Sequence, residues 1–465
     1  MKIQLHSILS LCLLPLCALG AHAQERFDAV AAPLASDAST PPIAGWRAPR
    51  TLLVSWRPDA IETHKLAARA AAGTAATRDL TTPAMRTFGY GDLEAFELPL
   101  GADLDATAAN LRRLPGVRAV DFDVVIRNAA VSNDPSFVGG QTWGLYGDLS
   151  APANQYGSQA AEAWASGLTG STTVHVGVID EGIDINHPDL APNIWQNPRD
   201  AIDGIDNDGN GRIDDRNGWD FHFGNRTVYD GSATDPNRDS HGTHVAGIIG
   251  ARGGNGVGGA GVCWNVKLIS AKVLDNGTGV VSNAVLALDY LVDLKTRHGI
   301  QLAAINMSLG HAGFVQAELD AINRARMADI LVVAAAGNGG PDYIGDNLDV
   351  APYYPAAYNA ANIITVANIT NTGALATTSN FGPIAVDLGA PGTSIHSTLP
   401  QNRYGYKSGT SMAAPFVTGA VALWRVRNPT HSASATRGFV LLHRIATPSL
   451  TGKVYMNGRL NVGNF

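Results

Sequence analysis

Val176-Gly177-Val178-Ile179-Asp180-Glu181-Gly182-Ile183 is a short apolar run that ends on an acid. Residues 174–179 are predicted as a buried strand, which places Asp180 at its carboxyl end. Similar apolar runs predict strands at 268–273, 304–308, 330–335 and 363–366. Stretches of helical spacing lie between and after them, at 244–251, 281–296, 315–327 and 412–427. Continuous apolar strands alternating with helices predict an α/β fold: a doubly wound, mainly parallel sheet with helices on both faces. Ligands bind such sheets outside the carboxyl ends of the strands, which is where Asp180 is expected.

This domain is expected to occupy residues 130–465, and three segments precede it. Lys2, an apolar stretch at 8–19 and Ala21-His22-Ala23 read as a secretory signal peptide over 1–23. A lipid anchor on Cys12 or Cys17 would need a small residue before the cysteine, where Leu11 and Leu16 stand. Residues 24–46, rich in Ala, Pro, Ser and Thr, read as a flexible leader. Over 47–129 the pattern gives a strand at 52–54, a helix at 61–72, a strand at 93–98, a helix at 104–114 and a strand at 117–126. That order fits a small ferredoxin-like α/β module.

Of 465 residues, 45% are hydrophobic and 16% charged, a globular composition, and the formal charge of −7 argues against a nucleic-acid or anionic-membrane partner. No apolar run after the signal is long enough to span a membrane. With the signal removed only Cys263 remains, so no intramolecular disulfide can form. An exported, extracellular or periplasmic protein is expected.

Two further stretches join the first. Ser240-His241-Gly242-Thr243-His244-Val245-Ala246-Gly247 puts a histidine at the opening of a helix, and Ser408-Gly409-Thr410-Ser411-Met412-Ala413-Ala414-Pro415 puts a serine at a helix N-terminus. A serine hydroxyl attacks well at neutral pH only when a base takes its proton. His241 would be that base, and Asp180 would hold the imidazole tautomer and stabilise the imidazolium. Backbone N–H groups at the helix start would face the developing oxyanion. In the order Asp, His, Ser, with Ala335-Ala336-Gly337-Asn338, Ser308-Leu309-Gly310 and 386–392, the chain resembles the subtilisin-like serine peptidases (subtilases) from about residue 130 onward. His244 lacks the Glu of an H-E-x-x-H zinc motif and reads as a buried structural histidine. An α/β-hydrolase would need G-x-S-x-G, whereas 409–413 reads G-T-S-M-A. A non-catalytic scaffold on the same fold would be favoured by loss of any of these residues, and all are present.

The resemblance implies a secreted endopeptidase that is matured by self-cleavage. It implies that Asn338 donates to the oxyanion, and that Asn276, Gly277, Thr278 and Gly279 form one edge of a peptide-binding cleft. Ser308, Leu309 and Gly310 would form the opposite wall, with the backbone of residues 334–337, Ala336 and Gly337 among them, lining the primary pocket. Polypeptide substrates would add as a β-strand. The depth of that pocket stays open, because His311 follows Gly310 and Tyr353-Tyr354-Pro355 lies further on. Residues 47–129 resemble the family's inhibitory propeptide, with self-cleavage around 128–133. A monomer without an organic cofactor is implied.

Between Asp180 and His241 lies a long insertion. Its run Asp206-Asn207-Asp208-Gly209-Asn210-Gly211-Arg212-Ile213 matches the first two-thirds of an EF-hand loop. Asp206, Asp208, Asn210 and Arg212 would contribute oxygens to a Ca2+ ion, with Asp214, Asp215 or Asp220 completing the shell. Asn217 stands where an EF-hand has its bidentate Glu. Asp189 with the 255–259 loop is a second candidate Ca2+ site.

Overall fold

The computed structural model describes residues 47–124 and 132–465, which fall into two compact units, one ending at Ile126 and the other beginning at Arg127. The predicted signal (1–23), the leader (24–46) and residues 128–131 of the expected self-cleavage region lie outside the described residues.

The first unit runs β1 (Arg47–Trp56), α1 (Glu62–Ala72), β2 (Ala76–Asp79), α2 (Pro83–Thr87), β3 (Leu93–Glu97), α3 (Leu104–Leu111) and β4 (Val117–Val124). Its sheet has the order β2-β3-β1-β4 and every neighbouring pair is antiparallel, the split arrangement expected of a ferredoxin-like module. Alternation along β1 sends Leu52, Val54 and Trp56 inward, against Ala68, Phe96 and Leu111. The strand β2 and the helix α2 were not expected. All four β2 residues are exposed, so no inside–outside alternation marks them.

The second unit opens with two short helices, α4 (Pro135–Val138) and α5 (Ala160–Ala165). A nine-stranded sheet follows, built on β5 (Gly170–Asp180), β6 (Gly218–Asp220), β7 (Asn265–Lys272), β10 (Leu302–Met307), β12 (Leu331–Ala335), β14 (Ile363–Ile369), β15 (Leu388–Pro391), β18 (Ile445–Ala446) and β19 (Gly458–Arg459). Its order is β18-β19-β15-β14-β12-β10-β5-β7-β6, parallel throughout except for the edge strand β18. Two-residue strands β8 (Leu274–Asp275), β9 (Thr278–Gly279), β11 (His311–Ala312) and β13 (Tyr353–Tyr354) edge the carboxyl end, and β16 (Ile395–Leu399) pairs with β17 (Arg403–Lys407).

Helices α6 (Ser240–Gly250), α7 (Val281–Thr296), α8 (Gln316–Met327), α9 (Thr410–Arg427) and α10 (Ala433–Leu442) cover the two faces. One apolar cluster joins Val176 and Val178 to Val245, Phe416 and Ala420, and the other joins Ile179, Ile305 and Val332 to Leu288, Leu291 and Ile322. Gly177 is required between them: a Cβ there would lie 2.5 Å from Leu291 Cδ1 and push α7 off the sheet. The doubly wound architecture expected from the apolar runs is the one observed, with Asp180 at the carboxyl end of β5, the third strand from the β6 edge of the sheet.

Candidate active site

Asp180 ends β5 buried, and its Oδ1 accepts from Glu181 N (2.8 Å) and from His241 Nδ1 (2.8 Å). A carboxylate can only accept here, so the tautomer with hydrogen on Nδ1 is selected and Nε2 is left as the base. The helix carrying His241 comes this close because of Gly242, whose Cβ would sit 2.2 Å from Gly182 O. Glu181 grips the same turn, its Oε1 accepting from His241 N at 2.5 Å. Burial pulls the His241 imidazole pKa down, but the charge of Asp180, its hydrogen bond and the charge of Glu181 outweigh that. The ring is held above its ordinary value.

Ser411 is the second residue of α9, whose start is set by Gly409 at φ 146°. Pro415, four residues on, has no N–H for the Ser411 carbonyl, and Ser308 Oγ donates to that carbonyl instead (2.8 Å). Ser308 Oγ accepts in turn from Asn306 Nδ2 (2.9 Å), and Asn306 Oδ1 from Thr418 Oγ1 (2.9 Å), so α9 is pinned to the end of β10. Ser411 Oγ donates to Ser308 O at 3.2 Å. Among the described residues no hydrogen bond joins it to His241; such contacts commonly tighten only when substrate is bound. Both side chains line one cleft of about 830 Å³, together with Asn338. Asn338 Oδ1 accepts from Thr410 N (2.8 Å) and Thr410 Oγ1 (3.2 Å), which orients the amide and reserves its NH2 group as a donor.

His244 is the structural histidine expected. Its Nε2 faces Ile395 O (3.0 Å) and Gly405 O (3.1 Å) across the β16–β17 hairpin, and burial drives its pKa down to about 3.

Gly277, Thr278, Gly279, Ser308, Leu309, Gly310 and Gly337 line the cleft. Two expected members do not. Asn276 (φ 47°) and Gly277 (φ 74°) form the two-residue turn between β8 and β9, and Asn276 sits at its tip. Ala336 is wholly buried, with its N–H on Val366 O, and its methyl joins the apolar core rather than the pocket.

In the insertion, Asp206 accepts from Gly209 N, Asn210 N and Gly211 N at 2.8–3.1 Å, winding the loop around one carboxylate. Asn197 Nδ2 bridges Asp208 Oδ2 (2.9 Å) and Asp215, and Asn210 Nδ2 reaches Asp215 Oδ2 (2.9 Å). Burial, with some repulsion from Asp208, pushes the Asp215 carboxyl up to about 7. Asp208 and Asp215 share the Asn197 amide, Tyr290 OH also donates to Asp215 Oδ2 (2.7 Å), and the Arg297 charge acts on Asp208, so a hard divalent ion would have to replace these partners to use both carboxylates. The other acids do not converge. Asp214 turns to Asp203 N, Gly204 N and Arg226, and Asp220 to His222 N and Phe223 N. The Arg212 guanidinium lies 5.0 Å from the Phe221 ring, which leaves only its carbonyl for a cation. Among the described residues no group of three or more His, Cys, Asp or Glu side chains is placed to hold a metal, so amide and carbonyl oxygens would have to complete any shell. At the second candidate, Asp189 gives its oxygens to Asn255 Nδ2, Gly259 N and Tyr404 OH, donors that a cation would have to displace there just as at Asp215.

One element of the site was not anticipated. Lys272 pairs in parallel register with Asp180 and is fully buried. Its Nζ donates to Glu181 O and to Asp239 Oδ1, and lies 3.2 Å from Asp230 Oδ2. Burial alone would lower its pKa, but the hydrogen bond and the charges of Asp239 and Asp230 keep it charged. It ties the residue after Asp180 to Asp239, which directly precedes the helix of His241.

The subtilase family model matches residues 171–449. The major intracellular serine protease of Bacillus subtilis (strain 168) is 38% identical over 269 residues, covering 57% of this chain and 72% of the relative. Thermitase of Thermoactinomyces vulgaris is 31% identical over 315 residues, covering 66% of this chain and 94% of the relative. Among solved structures, a protease from Pseudoalteromonas arctica PAMC 21717 superposes with a TM-score of 0.53 at 27% identity, covering 72% of this chain and 98% of that one. A parallel sheet that ends on Asp180, a helix that opens on His241 and a helix start that carries Ser411 thus coincide with the matched region. The chain belongs to the subtilase family and is a subtilisin-like serine peptidase.

Proposed function

We propose that the protein is a secreted endopeptidase that cleaves polypeptides through an acyl-enzyme on Ser411. The observation that carries this reading is the Asp180–His241 hydrogen bond at a cleft shared with Ser411 and Asn338. In the reaction, His241 Nε2 takes the Ser411 proton as Oγ attacks the carbonyl, and later returns it to the leaving amine. The Asn338 NH2 group and the N–H groups at the start of α9 hold the oxyanion. Water then repeats the sequence on the acyl-enzyme. A fluorophosphonate should label wild-type protein on Ser411 and leave Ser411→Ala unlabelled; a wild type that stays unlabelled while folded counts against the reading.

The His241 environment fixes a pH dependence. A protonated imidazole cannot accept the serine proton, so kcat/KM falls as pH drops through the His241 pKa, above the ordinary value of about 6.5. Glu181→Gln removes one of the charges that raise it, so the acid limb moves to lower pH. An unmoved limb in that variant would show that Glu181 does not act on the imidazole.

Ca2+ is proposed as a structural ion held by Asp206, Asp208, Asn210, the Arg212 carbonyl and Asp215. Without it, folded Asp215 keeps its proton to about pH 7, whereas an unfolded aspartate loses it near 4. The native state then binds the extra proton, and stability falls as pH rises between those values. Chelator should therefore depress Tm more at pH 8 than at pH 5, and added Ca2+ should restore it. A Tm at pH 8 indifferent to chelator removes the ion from the account.

Residues 47–124 are read as part of a propeptide that inhibits the peptidase and is cut away near residues 128–133. Their place ahead of the matched region and their ferredoxin-like topology support that role. The Lys2 to Ala23 pattern supports export. Among the described residues no helix is long and apolar enough to cross a membrane. A monomer is the proposed working state.

A further inference from the structure

Most of the charge around His241 is paired within the protein. Asp180 accepts from the ring itself, Lys272 is held by Asp239, and Arg238 is paired with Asp275 at 2.6 Å. Glu181 and Lys407 are the exceptions: among the described residues neither forms an ion pair with another side chain. Their charges act on the imidazole in opposite senses, Glu181 raising its pKa and Lys407 lowering it.

The two groups stand on different flanks of the histidine. Glu181 is 7% exposed and lines the cleft with His241, Val273 and Leu274. Its Oε1 accepts from His241 N, while Oε2, which is not sealed from solvent, has no partner among the described residues. An ionised carboxylate accepts from about four directions, so one this far out of water with a single neutral donor lacks a counter-charge. Lys407 is not part of that lining. It ends β17, opposite Ile395 of β16, and its Nζ donates to Ser240 Oγ (3.1 Å), the residue before His241. The chain between Lys407 and Ser411 is fixed, because Ser394 N donates to Ser408 Oγ (2.8 Å) and Gly409 N to Gly392 O (2.8 Å). An ammonium carries three donors, so Lys407 keeps some for a further partner.

A peptide crossing Ser411 meets these charges in order. His241 returns its proton to the leaving amine, so the bond that breaks lies at the imidazole, between the two charges. With the cleft as the acyl side, the residues before the bond pass Glu181, and those after it leave past Ser240 and Lys407. Successive side chains of an extended chain point to opposite faces, so one of two consecutive residues on each side turns toward the charge there. We infer that Glu181 and Lys407 are specificity-determining residues that read charge polarity across the scissile bond: a basic side chain within the two residues before it and an acidic one within the two after it. The inference rests on the reading of the chain as a peptidase that acylates Ser411. Selection comes from both signs, since the matching order gives each lone charge its partner and the reversed order sets like charges together.

The test uses protein purified from cells expressing the full chain and internally quenched peptides whose products are identified by mass. Lys-Lys before the bond with Glu-Glu after it is compared with the reversed order, so composition and net charge are the same. Wild type should have the higher kcat/KM on the first by about 10- to 100-fold, and the gap should narrow at high salt. Peptides charged on one side only separate the two residues. Glu181→Gln should cut the preference for Lys over Glu before the bond by at least about 3-fold and leave the other side as it was, and Lys407→Met should do the converse. Ratios between peptides cancel any change these variants make to His241 itself. Wild type cutting both orders equally, or favouring the reversed one, overturns the inference without any variant having to fold. One-sided preferences that survive both substitutions overturn it as well. If wild type is labelled by fluorophosphonate and cleaves without regard to charge, only the roles of Glu181 and Lys407 in selection fall; if it is neither labelled nor active on any peptide, the peptidase reading falls and takes this one with it.

Discussion

Ser411→Ala is expected to abolish proteolysis and to leave the chain at its unprocessed length. The loss should be about 10⁶-fold in kcat, the magnitude established for removing a triad serine in this family rather than one deduced from these distances. The variant should fold, because the hydroxyl contributes one 3.2 Å hydrogen bond to Ser308 O. The bond that anchors the helix start runs the other way, from Ser308 Oγ to the Ser411 carbonyl, and survives the change. The two consequences share a cause: if residues 47–129 are removed by the protein's own active site, the cut requires the same nucleophile. Mass spectrometry of wild type and variant made in a protease-free translation system separates the possibilities. An unprocessed but folded variant supports self-cleavage, whereas a variant trimmed like wild type would assign maturation to another enzyme.

The part of this site legible in sequence is the part carried by short contiguous stretches and by their joint resemblance to one family. Asp180 at the end of an apolar run, His241 at the opening of a helix and Ser411 at a helix start are each ordinary alone, and it is the resemblance of the three neighbourhoods, in that order, to the subtilases that singles them out. The helix at Val281–Thr296 was legible to the residue from its helical spacing. What escaped depends on residues far apart in the chain. Whether Ala336 faces pocket or core is decided by the pleat of β12 against β14, and whether Asp214 or Asp215 turns inward is decided by Arg226 and Tyr290. Tyr353 carried a visible signal in its Tyr-Tyr-Pro run, but only folding sets its ring against Gly310 and Gly337. Lys272 is the clearest case. A single charge at the end of an apolar run is ordinarily a side chain emerging into water, and its partners Asp230 and Asp239 belong to the insertion ahead of His241.

Lys272→Met should destabilise the protein by about 3–5 kcal/mol, the usual result of removing one partner from a buried ion pair. Methionine fills most of the space, so the effect would come from charge: Asp239 would be left buried without its cation, and the Glu181 carbonyl without its donor. The ion pair need not contribute net stability for this to hold, since the penalty belongs to the uncompensated acid. Two consequences distinguish it from a general packing defect. Adding Asp239→Asn removes the stranded charge, so the double variant should regain a substantial part of the loss, as contacting residues couple rather than add. The active site should also feel the change, because Asp239 directly precedes the helix Ser240–Gly250 that carries His241, and Glu181 holds the His241 N–H. Lys272→Met should therefore lower kcat more than it raises KM at temperatures where it remains folded. Denaturant unfolding in a Ser411→Ala background, which prevents self-digestion, measures the first effect, and peptide kinetics of the otherwise wild-type enzyme measure the second. If the single variant unfolds at the parental denaturant concentration, the lysine is a bystander. If Asp239→Asn deepens the loss instead of relieving it, the stranded charge is not its cause.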